Sequence, residues 1–283
     1  MNRRTLRVGG SLLDYGQPLI MGILNITSDS FYDGGQYLSI DKAMARVGEI
    51  IAEGADILDV GAFSSRPGAH LVSAEDQLSL LTPIVTEIVK SYPDVVLSVD
   101  CYHSLVVEKL SRITPFIVND ITGFSQDEKL LDVVKDLDFA YVLMHIKGTP
   151  ADMQTKASYT DVVFEVISEL SAKLHLLRSK GIEELIVDPG FGFAKTKDQN
   201  FEILRKLRAF GVLGQPIMVG LSRKSMVYKP LGTDPDNALN GTTALHMAAL
   251  LNGANILRVH DVKEAVETRI LWEQLQSPEL NIN

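Results

Sequence analysis

Short apolar runs alternate with longer stretches of helical period along most of the chain. Eight runs, residues 19–25, 55–62, 96–101, 116–121, 140–146, 185–190, 216–222 and 255–261, are continuously apolar rather than alternating. Strands buried on both faces have this pattern, as in a parallel sheet covered by helices. Ahead of them, Leu6-Arg7-Val8, Gly9-Gly10 and Ser11-Leu12-Leu13 read as a small hairpin, since Gly-Gly suits a tight primed turn. Residues 41–52 place Ala43, Val47, Ile50 and Ile51 on one helical stripe. Residues 161–179 carry Val162, Val166, Leu170, Leu174 and Leu177 at spacings of three and four. Both segments open on an Asp suited to a first helical turn. Residues 238–251 and 263–276 are two further expected helices.

Strand starts lie 36, 41, 20, 24, 45, 31 and 39 residues apart, which leaves room in each gap for a crossover helix. Eight β-then-α units within about 250 residues predict an α/β fold, a single (β/α)8 TIM barrel. The expected division is an N-terminal β-hairpin over 1–16 and the barrel over 17–283. A doubly wound open sheet is the competing architecture. It would require a dinucleotide or phosphate loop, and neither G-x-G-x-x-G nor G-x-x-x-x-G-K-[ST] occurs.

Composition adds exclusions. Hydrophobic residues make up 46% and charged residues 22%, with 21 Gly and 11 Pro, which rules out a disordered or collagen-like chain. The formal charge of −9 argues against a general binder of nucleic acid or of anionic membranes. A single cysteine, Cys101, excludes an internal disulfide and a Cys-based zinc site. The first ten residues are basic but lack the apolar core of a signal peptide, and no run is long enough to span a bilayer. The expected compartment is the cytoplasm.

In such a barrel the chemistry lies at the C-terminal ends of the strands. There the chain sets Asn25, Asp59, Asp100, Asn119-Asp120, His145, Asp188, Ser222-Arg223-Lys224-Ser225, and the pair Arg258 and His260. A lone Asp or Asn after a strand commonly caps a helix or closes a turn. A polar residue at all eight strand ends is not explained that way, nor are an Arg and a His two residues apart on one strand face. Asp188 is able to accept two parallel bonds from an amino group and a ring N–H. Arg66, Arg258 and His260 are donors for a phosphate or diphosphate. Asn25 is a candidate single ligand for Mg²⁺, which takes few protein ligands when phosphates complete its shell. His70, His103, His175 and His246 lack metal-site spacing, Asp120 suits a structural role, and Lys195 and Lys197 read as solvated loop charges.

These residues also carry a resemblance. Met21-Gly22-Ile23-Leu24-Asn25-Ile26-Thr27, with Asp29-Ser30-Phe31 and Asp33-Gly34-Gly35, closely resembles the first signature of the dihydropteroate synthase family. Asp59-Val60-Gly61 with Ser64-Ser65-Arg66-Pro67-Gly68 resembles the second. Ser98-Val99-Asp100, Val118-Asn119-Asp120, Met144-His145, the segment 188–193, Ser222-Arg223-Lys224-Ser225 and Arg258-Val259-His260 follow in the family's order, so the likeness runs over residues 19–262.

The resemblance implies a homodimeric, Mg²⁺-dependent enzyme of folate biosynthesis and a sulfonamide target. Such an enzyme joins p-aminobenzoate to 7,8-dihydropterin-6-ylmethyl diphosphate by a dissociative substitution. By the same resemblance Asp100, Asn119, Met144, Asp188 and Lys224 hold the pterin, and Asn25 with Mg²⁺, Arg66, Arg258 and His260 hold the diphosphate. Phe31, Ser65, Pro67, Phe193 and Ser225 border the p-aminobenzoate pocket. Asp100, Lys224 and Asp33 are the expected catalytic residues. The chain departs from the family at Phe63, where an acid is common, and at Ser65, where Thr is common; one buried methyl is worth on the order of 1 kcal/mol. The rivals are a pterin-dependent methyltransferase, which needs no diphosphate site, and a catalytically silent pterin binder.

Overall fold

The computed structural model describes residues 4–26, 36–62, 72–149 and 152–276. Strands β1 (Thr5–Val8) and β2 (Ser11–Asp14) form the hairpin, Val8 pairing with Ser11 across Gly9 and Gly10. Gly9 has a φ of 58°, and a Cβ there would stand 2.4 Å from Pro115, so backbone freedom and close approach both require glycine. The barrel strands are β3 (Leu19–Asn25), β4 (Ile57–Gly61), β5 (Val96–Asp100), β6 (Ile117–Asp120), β7 (Tyr141–Met144), β8 (Leu185–Asp188), β9 (Met218–Val219) and β10 (Ile256–Val259). All neighbours pair in parallel, in the order β8-β7-β6-β5-β4-β3-β10-β9. A parallel bridge from Val187 to Ile217 closes β8 onto β9. The barrel and its hairpin are thus as the sequence predicts.

The helices are α1 (Gln36–Ala52), α2 (Ala74–Ser91), α3 (Ser104–Leu110), α4 (Lys129–Val134), α5 (Val162–Ser179), α6 (Lys197–Arg205), α7 (Ser225–Tyr228), α8 (Leu239–Leu251) and α9 (Val262–Gln276). Asp161 caps α5, accepting from the amides of Val163 and Phe164, as its position indicates. Asp41 does not open α1, which begins five residues earlier at Gln36. Strand β9 is two residues long rather than seven, because Gly220 follows it and the chain turns at once into the segment before α7.

Period-two alternation divides the strand residues between two cores. Outward side chains, among them Ile20, Leu58, Val99, Val118, Leu143, Val187 and Leu257, join the helices in the main core. Inward side chains from the lower strand ends (Leu19, Met21, Ile57, Ile117, Ala140, Val142, Ile186, Met218 and Ile256) fill the barrel, and Leu6 and Val8 of the hairpin pack against them. The hairpin therefore plugs the N-terminal end. Its position is fixed by the amide of Gly9 on the carbonyl of Asp138, the amide of Arg7 on Glu184, and an ion pair from Arg7 to Asp138.

Gly22 shows how close the two layers lie. A Cβ there would meet Ile50 of α1 at 2.6 Å and Val262 of α9 at 2.9 Å. Gly22→Ala is expected to lower the unfolding free energy by about 1–3 kcal/mol through overpacking, to be read by thermal or urea denaturation. An unchanged midpoint would mean that the helices shift without cost.

Candidate active site

The same alternation that fills the lower barrel with apolar groups sends charged and polar groups inward one and two residue pairs higher. From β4, β5, β6, β8 and β10 the inward positions are Asp59, Ser98 and Asp100, Asn119, Asp188, and Arg258. Asp59 is fully buried and sits at the centre of this layer. It accepts from Ser98 Oγ at 2.6 Å and from Asn119 Nδ2 at 3.2 and 3.3 Å. Arg258 Nε donates to Asp59 Oδ2 at 2.7 Å, and Arg258 Nη2 to Asp100 Oδ2 at 2.7 Å. The guanidinium thus bridges two carboxylates. Burial opposes its charge, but Asp59 and Asp100 outweigh burial and raise its pKa further.

Two acceptors in this layer, Asp100 Oδ1 and Asn119 Oδ1, are buried with no hydrogen-bond partner. An unmet buried acceptor costs about 1–3 kcal/mol, and these two lie on register partners of adjacent strands. The Asp59 bond fixes the Asn119 amide, so that its oxygen is the atom left over. Burial pushes the Asp100 carboxyl up to about 7, against the pull of Arg258. Nearby inward positions are glycine. A Cβ on Gly220 would meet Arg258 and Lys224 at 3.9 Å, ordinary van der Waals contact, so the barrel has room for one more methyl group there.

On the β8 side of the layer, Asp188 Oδ1 accepts from the amide of Gly190 at 2.7 Å. Burial raises the Asp188 pKa and Lys224 opposes the rise. Lys224 Nζ donates to the Phe191 carbonyl at 2.6 Å and lies 4.7 Å from the Phe193 ring centroid. Burial brings Lys224 down to about 8, with Asp188 opposing. Met144 and Phe193 belong to an apolar cluster with Ile121, Ile146, Met153 and Ala194 above the charged layer. Asn25 ends β3 and is exposed there, beside its register partner Gly61. His260 Nδ1 lies 3.1 Å from Ser222 Oγ, and burial together with Arg258 lowers its pKa to about 4. Ser225 is exposed at the start of α7, which has only one turn.

The candidate residues Asn25, Asp100, Asn119, Met144, Asp188, Phe193, Lys224, Ser225, Arg258 and His260 all lie at the C-terminal strand ends or in the segments that follow them. Phe31, Asp33, Ser65, Arg66 and Pro67 lie outside the described residues. Two sequence expectations change. Lys195 is not a solvated loop charge: it is 3% exposed, and burial lowers its pKa to about 7. His145 follows β7 but alternation turns it outward, to 3.2 Å from Glu169 on α5. Asp120, likewise outward, accepts from Tyr141 and Thr122, in keeping with a structural role.

Sequence reasoning gave no role to Asp59 or Arg223. The i, i+2 spacing of Asp59 and Gly61 was the available signal for the first. Arg223, at a φ of 55°, pairs with both oxygens of Asp261 at 2.7 and 2.9 Å and so pins the segment carrying Lys224 to the end of β10. For a metal, the described residues hold no group of three or more His, Cys, Asp or Glu able to form a cage. The lone amide oxygen of Asn25 fits a Mg²⁺ that arrives with phosphate oxygens.

Replacing Arg258 by Met leaves two buried carboxylates without their cation and is expected to cost about 3–5 kcal/mol of stability near neutral pH or above. A carboxyl whose folded-state pKa lies above its unfolded value loses stability as pH rises between the two. Asp100 is already raised to about 7, and loss of Arg258 raises it further. The penalty should therefore be larger at about pH 8 than at about pH 5.5, where Asp100 is neutral. Urea unfolding at both values checks this, and an equal loss at each would contradict it.

A model of a family described as pterin binding enzyme matches residues 21–260. Dihydropteroate synthase of Escherichia coli strain K12 is 38% identical over 274 residues, 96% of each chain. The Yersinia pestis dihydropteroate synthase solved with a sulfonamide drug superposes with a TM-score of 0.90 at 34% identity, covering 97% of this chain and 100% of that one. The Xanthomonas albilineans dihydropteroate synthase solved with 4-aminobenzoic acid also gives 0.90, at 35% identity over 98% and 99% of the two chains. With a family model over most of its length, relatives 34–38% identical over nearly the whole chain and the barrel in common, the chain belongs to the pterin-binding enzyme family, among its dihydropteroate synthases.

Proposed function

We propose that the protein condenses p-aminobenzoate with 7,8-dihydropterin-6-ylmethyl diphosphate, releasing pyrophosphate and giving 7,8-dihydropteroate for folate biosynthesis. The main support is the pair of buried, unpartnered acceptors on Asp100 and Asn119, on a floor shared with Asp188 and Lys224. A planar heterocycle with adjacent N–H donors meets those acceptors on one edge. Asp188 takes the amino-pyrimidinone edge, and Lys224 transfers its hydrogen bond from Phe191 to a ring oxygen or nitrogen. Met144 supplies an apolar wall.

Arg66, Arg258 and His260 hold the diphosphate. His260 enters neutral, and the arriving anion favours its protonation. Asn25 would be the protein ligand of Mg²⁺, whose contribution when bound is to neutralise charge on the diphosphate. Phe31, Ser65, Pro67, Phe193 and Ser225 border the p-aminobenzoate pocket, where sulfonamides compete.

The chemistry needs no protein nucleophile. The carbon–oxygen bond to the diphosphate breaks first, its electron pair leaving with pyrophosphate, and the dihydropterin ring shares the positive charge left on the methylene. Asp100, accepting from a ring N–H, favours that cation. Its carboxyl is held near 7 by burial in the free protein, so ionisation becomes easiest as the cation forms, which is stabilisation specific to the transition state. Asp33 is a second candidate for this role. The amine then attacks the cation at contact distance and loses a proton.

A turnover assay following both products tests the proposal: dihydropteroate should form in step with pyrophosphate. Pyrophosphate alone, or neither product despite pterin binding, would overturn it in favour of a silent binder or a methyltransferase. Asp100→Asn should lower kcat on the order of a hundredfold, and unchanged turnover would remove the charge-stabilising role.

The working assembly proposed is a homodimer in the cytoplasm. No helix among the described residues is long and apolar enough to cross a membrane. Leu251 at the end of α8 and Ile270, Leu271 and Leu275 on the adjoining α9 are exposed, an apolar face suited to a second copy. Leu271→Glu with Leu275→Glu should shift the mass by light scattering from two chains to one; a dimer unaffected by both would place the interface elsewhere.

A further inference from the structure

The segment between β8 and α6 carries Asp188 at one end and Phe193 near the other, and its backbone is unusual. Gly190, Gly192 and Ala194 all have left-handed φ values, 72°, 83° and 48°. A Cβ on Gly190 would lie 2.0 Å from the His145 carbonyl. For Ala194, which carries a Cβ, that conformation is strained, so the surroundings must hold it. What holds it is the buried side chain of Lys195. Lys195 Nζ donates to the carbonyls of Gly190 and Phe193 and lies against His145 Nδ1, each at 3.0 Å.

Glu169 Oε2, a carboxylate oxygen that only accepts, lies 3.2 Å from His145 Nε2, so the ring's proton is on Nε2 and Nδ1 is left to accept from Lys195. Glu169 also pairs with Lys173 at 3.3 Å. Beside this chain, Tyr159 Oη donates to the Ala194 carbonyl at 3.0 Å. The carbonyls of 190, 193 and 194 are thus held from behind the barrel, and that of Phe191 from inside by Lys224. The Phe193 ring lies in the apolar cluster at the mouth as a result. Asp188 is held by β7–β8 pairing and by the amide of Gly190, whose carbonyl Lys195 holds in turn.

We infer that Lys195, oriented by His145 and Glu169 and assisted by Tyr159, is a positioning residue that presents Phe193 to the second substrate. The inference rests on the reading of Phe193 as a border of the p-aminobenzoate pocket. It separates two effects that general instability would not separate. Steady-state kinetics with each substrate varied in turn should show Lys195→Met raising the KM for p-aminobenzoate about tenfold or more, and by a larger factor than the KM for the pterin diphosphate. Tyr159→Phe should move the first KM in the same direction by roughly twofold to threefold, with an unchanged melting temperature. It keeps the test valid if Lys195→Met does not fold.

Phe193→Ala sets the scale. If it raises the KM for p-aminobenzoate but Tyr159→Phe and Lys195→Met leave that KM unchanged, or lower kcat alone, the positioning role is overturned and the network is only structural. If Phe193→Ala itself leaves the KM unchanged, the placement of Phe193 at the pocket fails, and the inference fails with it.

Discussion

A guanidinium between two carboxylates inside a closed barrel is what the upper half of this interior is organised around. Charges taken out of water are tolerated only when paired and hydrogen-bonded, and Arg258 has both on Asp59 and Asp100. Asp59 spends its remaining capacity on Ser98 and Asn119. That use has a directional result, because the amide nitrogen of Asn119 is committed and the oxygen is not. The interior therefore shows acceptors on the β5–β6 side and, through Lys224, a donor on the β9 side. A ligand that matches must carry donors and an acceptor on fixed edges of one plane, and this asymmetry is built before any ligand arrives.

The apolar half beneath makes such a charged layer tenable. Leu19, Met21, Ile57, Ile117, Ala140, Val142, Ile186, Met218 and Ile256 exclude water from below, with Leu6 and Val8 beneath them. Outward, the same strands are apolar but for Asp120 at the end of β6, so the helices pack with little regard to what the inward positions carry. One set of strands thus supports a nearly uniform outer core and an inner face that changes character with height.

Much of this is legible in sequence because it follows from spacing. Continuous apolar runs disclose strands buried on both faces, and polar residues two apart at the ends of those runs mark the inward positions. Arg258 and His260 are the plainest instance. What spacing leaves out depends on contacts distant along the chain. Lys195 reads as a surface charge because its three acceptors, two of them carbonyls of a left-handed segment and the third His145, are brought to it only by the fold. His145 sits at a strand end like its neighbours, and only the parity of its position sends it outward. Asp41 has the chemistry of a helix start, yet α1 begins at Gln36, where no apolar period announces it.

The hairpin plug has a kinetic corollary. A vessel sealed at its base has one doorway, and whatever rests on the bottom lies beneath whatever rests at the rim. With Asp100, Asn119 and Asp188 below and Phe193 above, the proposed substrate placement makes traffic last in, first out: the pterin would precede the amine, and a rim occupant would trap what lies under it.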